Sequence, residues 1–208
     1  MLSEEITSHR RGAGRRLGFV VSGPSGAGKN SVIEQVMKTI PDLAYSVSYT
    51  TRLPRHGEVD GVDYCYVSPR KFDRLIAEGE LIEHVTYLGD RYGTARSQIE
   101  AVFARGEDVL LNIDVKGAKT VREKGLADFS PLFIFLTPSS LDRLSERLKG
   151  RGTENLREIQ ARLEVAAEEM EALPFFDYLV INDDLDQAVD ELRGIILAER
   201  CRILRNHD

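Results

Sequence analysis

With 208 residues, 42% of them hydrophobic and 30% charged, the chain has the composition of one soluble domain long enough to bury a substantial apolar core. Its net charge of −6 and pI near 5.4 disfavour a bulk nucleic-acid or anionic-membrane binder, because such binding rests on broad positive potential. Cys65 and Cys201 stand in unrelated contexts without metal-ligand spacing, and no apolar run reaches the roughly 18 residues of a membrane span or forms a leader, so a reduced, cytoplasmic protein is expected.

In chain order, residues 1–16 carry His9, Arg10, Arg11, Arg15 and Arg16 among polar neighbours and read as a basic tail without fixed structure. Leu17 to Ser22 (LGFVVS) has the apolar run of a buried parallel strand. GPSGAGKNS, Gly23 to Ser31, then satisfies G-x-x-x-x-G-K, and the spacing predicts a helix over Lys29 to Ile40 that Pro41 stops. In that strand–loop–helix context the amides of Ser25 to Lys29 and the helix dipole suit the phosphates of a nucleotide, with Lys29 as a point charge. Position 30 is asparagine where the motif has a hydroxyl for magnesium, and Ser31 points about 100° away on a helix. The direct metal ligand stays open between Asn30 and Ser31, with Asp114 acting through water.

Tyr45 to Thr94 breaks the rhythm with short strand-like pieces around one helix, opened by Ser68-Pro69 and closed at Gly79. It reads as a small strand-rich insertion. Arg52 and Arg55 lie within it on either side of Pro54, which stiffens the segment so that two guanidinium groups can converge on one phosphate. Tyr64 and Tyr92 can each add a phenolic hydrogen bond.

VLLNID (Val109 to Asp114), PLFIFLT (Pro131 to Thr137) and YLVIN (Tyr178 to Asn182) are further apolar runs, each followed by a helix-like segment. The alternation predicts an α/β fold, a parallel sheet with helices on both faces. Asp114 to Gly117 matches the D-x-x-G of a GTPase switch, but the chain has no Asn-Lys dipeptide, so the usual guanine reader of that class is missing. Ser139 to Leu173 reads as two charged helices around a turn at Gly150 to Thr153, a mobile cover with Arg143, Arg147 and Arg151 on one face. The expected organisation is a nucleotide-binding core over 17–44, 95–138 and 174–208, an insertion over 45–94 and a lid over 139–173.

Six blocks in order, GPSGAGK, SVSYTTRLPRHGEVDGVDY, LIEHVTYLGDRYGT, NIDVKGA, ERLKGRGTE and VINDDL, carry a resemblance to guanylate kinases, P-loop nucleoside monophosphate kinases, from about Leu17 to Glu199. The resemblance implies a P-loop NTPase three-layer core with a GMP-binding insertion and a helical lid. It also implies phosphoryl transfer from ATP to GMP, and to dGMP, giving ADP and GDP with Mg2+. The small-molecule substrates are then ATP and GMP, with no nucleic-acid or membrane partner, in a monomer or small homo-oligomer.

Residue by residue, it places Gly23, Pro24, Ser25, Gly26, Ala27, Gly28, Lys29, Asn30 and Ser31 on ATP, with Asn182 near the adenine. Arg52, Arg55, Tyr64 and Tyr92 fall on the GMP phosphate, and Ser48, Glu83, Thr94 and Asp114 on guanine. Lys29, Arg52 and the lid arginines Arg147, Arg151 and Arg162 are the expected catalytic set. Guanine offers N1–H and N2–H2 donors to a carboxylate such as Glu83, and adenine would leave that carboxylate facing an acceptor. Asn112 stands where the family commonly has an acid, and Thr94 keeps the hydroxyl of a more usual serine. The rival expectations are a catalytically inactive interaction module on this fold and a kinase for another monophosphate.

Overall fold

A computed structural model describes residues 16–87, 89–125, 131–150 and 156–203, so Arg151, nearly all of the basic tail and most of the lid turn lie outside the described residues. The main sheet is parallel throughout, with β1 (Gly18–Ser22) at its centre. On one side lie β7 (Asp108–Asn112) and the edge strand β2 (Leu43–Tyr45), and on the other β8 (Leu132–Thr137) and β9 (Tyr178–Ile181). Sequences such as GFVVS and LFIFLT are apolar at successive positions because both faces of a parallel sheet are covered.

Period-two alternation sorts β1 between two layers. Phe19 and Val21 pack with Val32, Ile33 and Val36 of α1 (Lys29–Met37) and with Ala188, Leu192 and Ile196 of the final helix, α7 (Leu185–Cys201). Val20 packs on the other side with Ile99 and Val102 of α3 (Arg96–Ala104) and with Ala118 and Val121 of α4 (Val115–Lys124). The first helix stops short of the expected Ile40. Lys38 and Thr39 donate three residues back, to Gln35 and Val36, and close the helix in a tighter turn.

A second, four-stranded sheet has the order β4-β3-β6-β5, with β3 (Tyr49–Thr50), β4 (Cys65–Tyr66), β5 (Leu81–Tyr87) and β6 (Asp90–Ala95). Its helix α2 (Pro69–Ala77) begins where the sequence predicts: Ser68 caps it by accepting from the Lys71 amide, and Pro69 follows. Buried Phe72 anchors α2 to this sheet, with the Arg91 guanidinium 4.8 Å from its ring centre. The charged arm consists of α5 (Leu141–Gly150) and α6 (Leu156–Met170), joined by a small core of their own made by Leu144, Leu148, Ile159 and Ala166. Among the described residues, no helix is long and apolar enough to cross a membrane.

Candidate active site

The glycine loop leaves β1 at Gly23, whose φ of 138° and whose contact with β8 leave no space for a side chain: a Cβ there would lie 2.0 Å from the Leu136 carbonyl oxygen. Gly28 is left-handed at the head of α1 and faces Asn182, where a Cβ would lie 2.5 Å from the amide nitrogen. Lys29 folds back over the loop, donating to the carbonyls of Gly23 at 2.5 Å and Pro24 at 3.1 Å. Asn30 and Ser31 are exposed on α1, and the Asn30 oxygen accepts from Asn112 at the end of β7 at 2.8 Å.

The arm reaches this loop. Arg147 on α5 donates to the Ala27 carbonyl at 3.2 Å and to the carbonyl of Asn182, while Arg162 on α6 donates to the Ser25 hydroxyl at 2.9 Å. Gly26 meets the arm core directly, since a Cβ there would lie 2.8 Å from Leu148. Asn182 is buried behind the loop and donates to the Ala27 carbonyl at 2.7 Å. Arg143, on the same helix, lies 3.4 Å from Asp183 instead of joining the loop.

Glu169, near the end of α6, accepts from the Ser25 amide and has Lys29, Asp114 and Lys116 around it. Burial pushes its carboxyl up to about 7, with the Asp114 charge adding to the effect and the two lysines opposing it. Sequence reasoning missed this residue, because a glutamate in AEEME on a polar helix carries no local sign of burial.

On the inserted sheet, the Arg52 guanidinium lies against the Tyr64 and Tyr66 rings, 5.3 and 5.8 Å from their centres, with Tyr92 packed edge-on to Tyr64 at 5.8 Å. Arg52, Tyr64 and Tyr92 are thus brought together. The partner of Arg52 is Glu58, which accepts from both terminal nitrogens at 2.8 and 3.0 Å. Glu58 also accepts from the Arg55 amide at 2.6 Å and the Tyr66 hydroxyl at 2.7 Å. Hydrogen bonding to Arg52 holds its carboxyl down at about 2. The Arg55 side chain is exposed, and its charge acts on the Tyr64 hydroxyl together with that of Arg52. Glu58 was also missed, although GEVDG sits in the stretch that holds both arginines.

Glu83 and Thr94 face each other across β5 and β6, and the Thr94 hydroxyl donates to the buried Glu83 carboxylate at 2.7 Å. This pair adjoins the head of α4, where Asp114 caps the helix by accepting from the Gly117 amide at 2.6 Å. Burial raises the Glu83 carboxyl to about 7, Thr94 opposing and Asp114 reinforcing, and burial also raises Asp114. Ser48 is buried between β2 and β3. Among the described residues, no group of three or more His, Cys, Asp and Glu side chains is arranged to hold a metal.

A glycine loop heading a helix would suit many P-loop enzymes. Here it stands beside a second, four-stranded sheet with an aromatic-lined arginine, a two-part arrangement in keeping with the nucleoside monophosphate kinases. The guanylate kinase family model matches residues 15–199, and the chain belongs to that family. It is 44% identical over 187 residues to a guanylate kinase of Syntrophotalea carbinolica, covering 90% of this chain and 88% of that one. With a guanylate kinase of Desulfitobacterium hafniense it shares 42% over 187 residues, covering 90% and 92%. The crystal structure of guanylate kinase from Anaplasma phagocytophilum is similar at a TM-score of 0.71 and 30% identity, covering 90% of this chain and 89% of that one.

Proposed function

We propose that the protein transfers the γ-phosphoryl group of ATP to GMP, and to dGMP, giving ADP and GDP as a step of purine nucleotide metabolism in the cytoplasm. The observation that carries this reading is the buried Glu83–Thr94 pair at the head of α4. A carboxylate can take the N1–H and N2–H2 donors of guanine and a hydroxyl can serve O6, whereas adenine would leave buried polar groups unpaired. Ser48 and Asp114 complete the base pocket in this reading, and Arg52, Arg55, Tyr64 and Tyr92 take the GMP phosphate.

ATP occupies the loop from Gly23 to Ser31, with Lys29, Arg147, Arg151 and Arg162 on its phosphates and Asn182 backing the loop toward the adenine. The core is 17–44, 95–138 and 174–208, the acceptor insertion 45–94 and the lid 139–173. A GMP phosphate oxygen attacks the γ-phosphorus in line, the bond from that phosphorus to the β,γ-bridging oxygen breaks, and its electron pair leaves with ADP. A phosphate monoester dianion is itself a competent nucleophile, so no base is required. Catalysis comes from placement and from neutralising the transferring group.

A magnesium ion that arrives with the triphosphate and keeps most of its waters suits the oxygen donors here: Asn30, whose oxygen accepts from Asn112, or the exposed Ser31 would hold it, with Asp114 acting through water. When bound, the ion supplies positive charge to the phosphates. Coupled ADP release with GMP, dGMP, AMP, UMP and IMP tests the assignment. Turnover with GMP and dGMP, weaker turnover with IMP and none with AMP or UMP is expected. Equal rates with AMP would overturn the base reading, and no turnover with any acceptor would favour an interaction module.

A further inference from the structure

We infer that Glu58 is a positioning residue for the acceptor phosphate, orienting the Arg52 guanidinium so that one defined edge is left for the anion. This inference rests on the proposal that Arg52 binds the phosphate of GMP. An arginine has five N–H donors in a rigid plane. Both donors on Nη1 are used, one by the Leu53 carbonyl at 2.8 Å and one by Glu58 at 3.0 Å, and one donor on Nη2 goes to Glu58 at 2.8 Å. The donors that remain are Nε–H and the second on Nη2, adjacent on one edge, and the Tyr92 hydroxyl, which also hydrogen-bonds to this guanidinium, shares that edge with an arriving anion. Two adjacent donors in one plane match two oxygens of a phosphate.

Glu58 is itself held. The Arg55 amide at 2.6 Å and the Tyr66 hydroxyl at 2.7 Å fix the oxygen that faces Nη1, and the Tyr66 ring also lies beneath the guanidinium. A lone arginine on a loop would sample many rotamers before meeting a ligand, and this one meets it preset. The carboxylate lowers the net charge of the cradle, a cost that the exposed Arg55 side chain can offset when the phosphate arrives.

Binding of GMP and of guanosine, which lacks the phosphate, measured by calorimetry on the whole protein, separates positioning from other roles. In the wild type GMP binds more tightly than guanosine. Glu58→Ala is expected to shrink that ratio at least tenfold and to raise KM for GMP by a similar factor, with KM for ATP within twofold. Glu58→Gln, which keeps one acceptor but turns an amide donor toward Arg52, falls between and serves if the alanine variant does not fold by thermal melting. Arg52→Ala is the reference. If Arg52→Ala shrinks the ratio while Glu58→Ala leaves it unchanged or tightens GMP, Glu58 merely occupies the phosphate's place and the inference fails alone. If Glu58→Ala weakens GMP and guanosine equally, its role is to hold the loop and the inference also fails. If Arg52→Ala leaves the ratio intact, the underlying phosphate reading fails instead.

Discussion

Gly117 and Glu83 are matched by the absence of an atom: a Cβ on Gly117 would lie 2.7 Å from Glu83 Oε2 and 3.1 Å from Asp114 Oδ1. Glu83 cannot withdraw cheaply, because its other oxygen is bonded to Thr94 inside a buried pocket. Gly117→Ala is therefore expected to raise KM for GMP about tenfold, equivalent to about 1.4 kcal/mol, with KM for ATP unchanged. The helix itself should not suffer, since alanine is favoured over glycine in a helix by roughly 0.5–1 kcal/mol. A melting temperature equal to or above wild type, together with the raised KM in steady-state kinetics, is the expected pair of results.

The Glu83 carboxyl, raised to about 7 chiefly by burial, sets two pH dependences. Guanine needs the ionised form to accept its donors, so kcat/KM for GMP should fall about tenfold per pH unit below pH 7. A Glu83→Gln variant should be slower throughout and keep only the limb of the GMP phosphate itself, whose second pKa is about 6. For stability the sign is opposite. The folded value lies above the ordinary 4.5, so the protonated form is favoured by folding, and that contribution is present below pH 4.5 and lost as pH rises to 7. Glu83→Gln should then melt above the wild type at pH 8, with the difference vanishing at pH 4.5, as thermal scans of the ligand-free proteins would register.

The parts of this fold that could be read from sequence are those where one short stretch decides. LGFVVS followed by GPSGAGK leaves little choice but strand, loop and helix, and Ser68-Pro69 marks a helix start within one residue. The strands Tyr49–Thr50 and Cys65–Tyr66, two residues each, have no period to detect and exist because β6 pairs with the first of them. Arg52 is marked by its own stretch, where Pro54 separates it from Arg55, whereas the roles of Glu83 and Thr94 come from the resemblance and not from their own neighbourhoods. Glu58 and Glu169 were missed because a carboxylate's worth depends on what faces it: an arginine plane in one case, and a loop amide 144 positions away in the other.

Lys29 ties the head of its helix to the start of its own loop through the Gly23 and Pro24 carbonyls, and in the proposed function its charge serves the transferring phosphoryl group. Lys29→Ala should cut turnover by about two to four orders of magnitude and leave GMP affinity within threefold, since the proposed acceptor cradle lies on the other sheet. ADP release and GMP calorimetry on the same preparation would check both halves, and a near-normal rate would remove Lys29 from the chemistry.

Glu169 brings the last prediction, because its carboxylate accepts the Ser25 amide of the same loop that the triphosphate is proposed to use. Burial already holds its carboxyl near 7, and a polyanion arriving beside it would raise that further, so ATP binding at pH 7 should take up protons. Calorimetric titration of ATP in two buffers of different ionisation enthalpy would show this as a buffer-dependent heat, fading above about pH 9. Glu169→Gln removes the negative charge and keeps an acceptor for the amide. It should bind ATP several-fold more tightly than the wild type at pH 8, converge with it at pH 6, and abolish the buffer dependence. GMP binding, proposed for the second sheet, should be unchanged at both pH values.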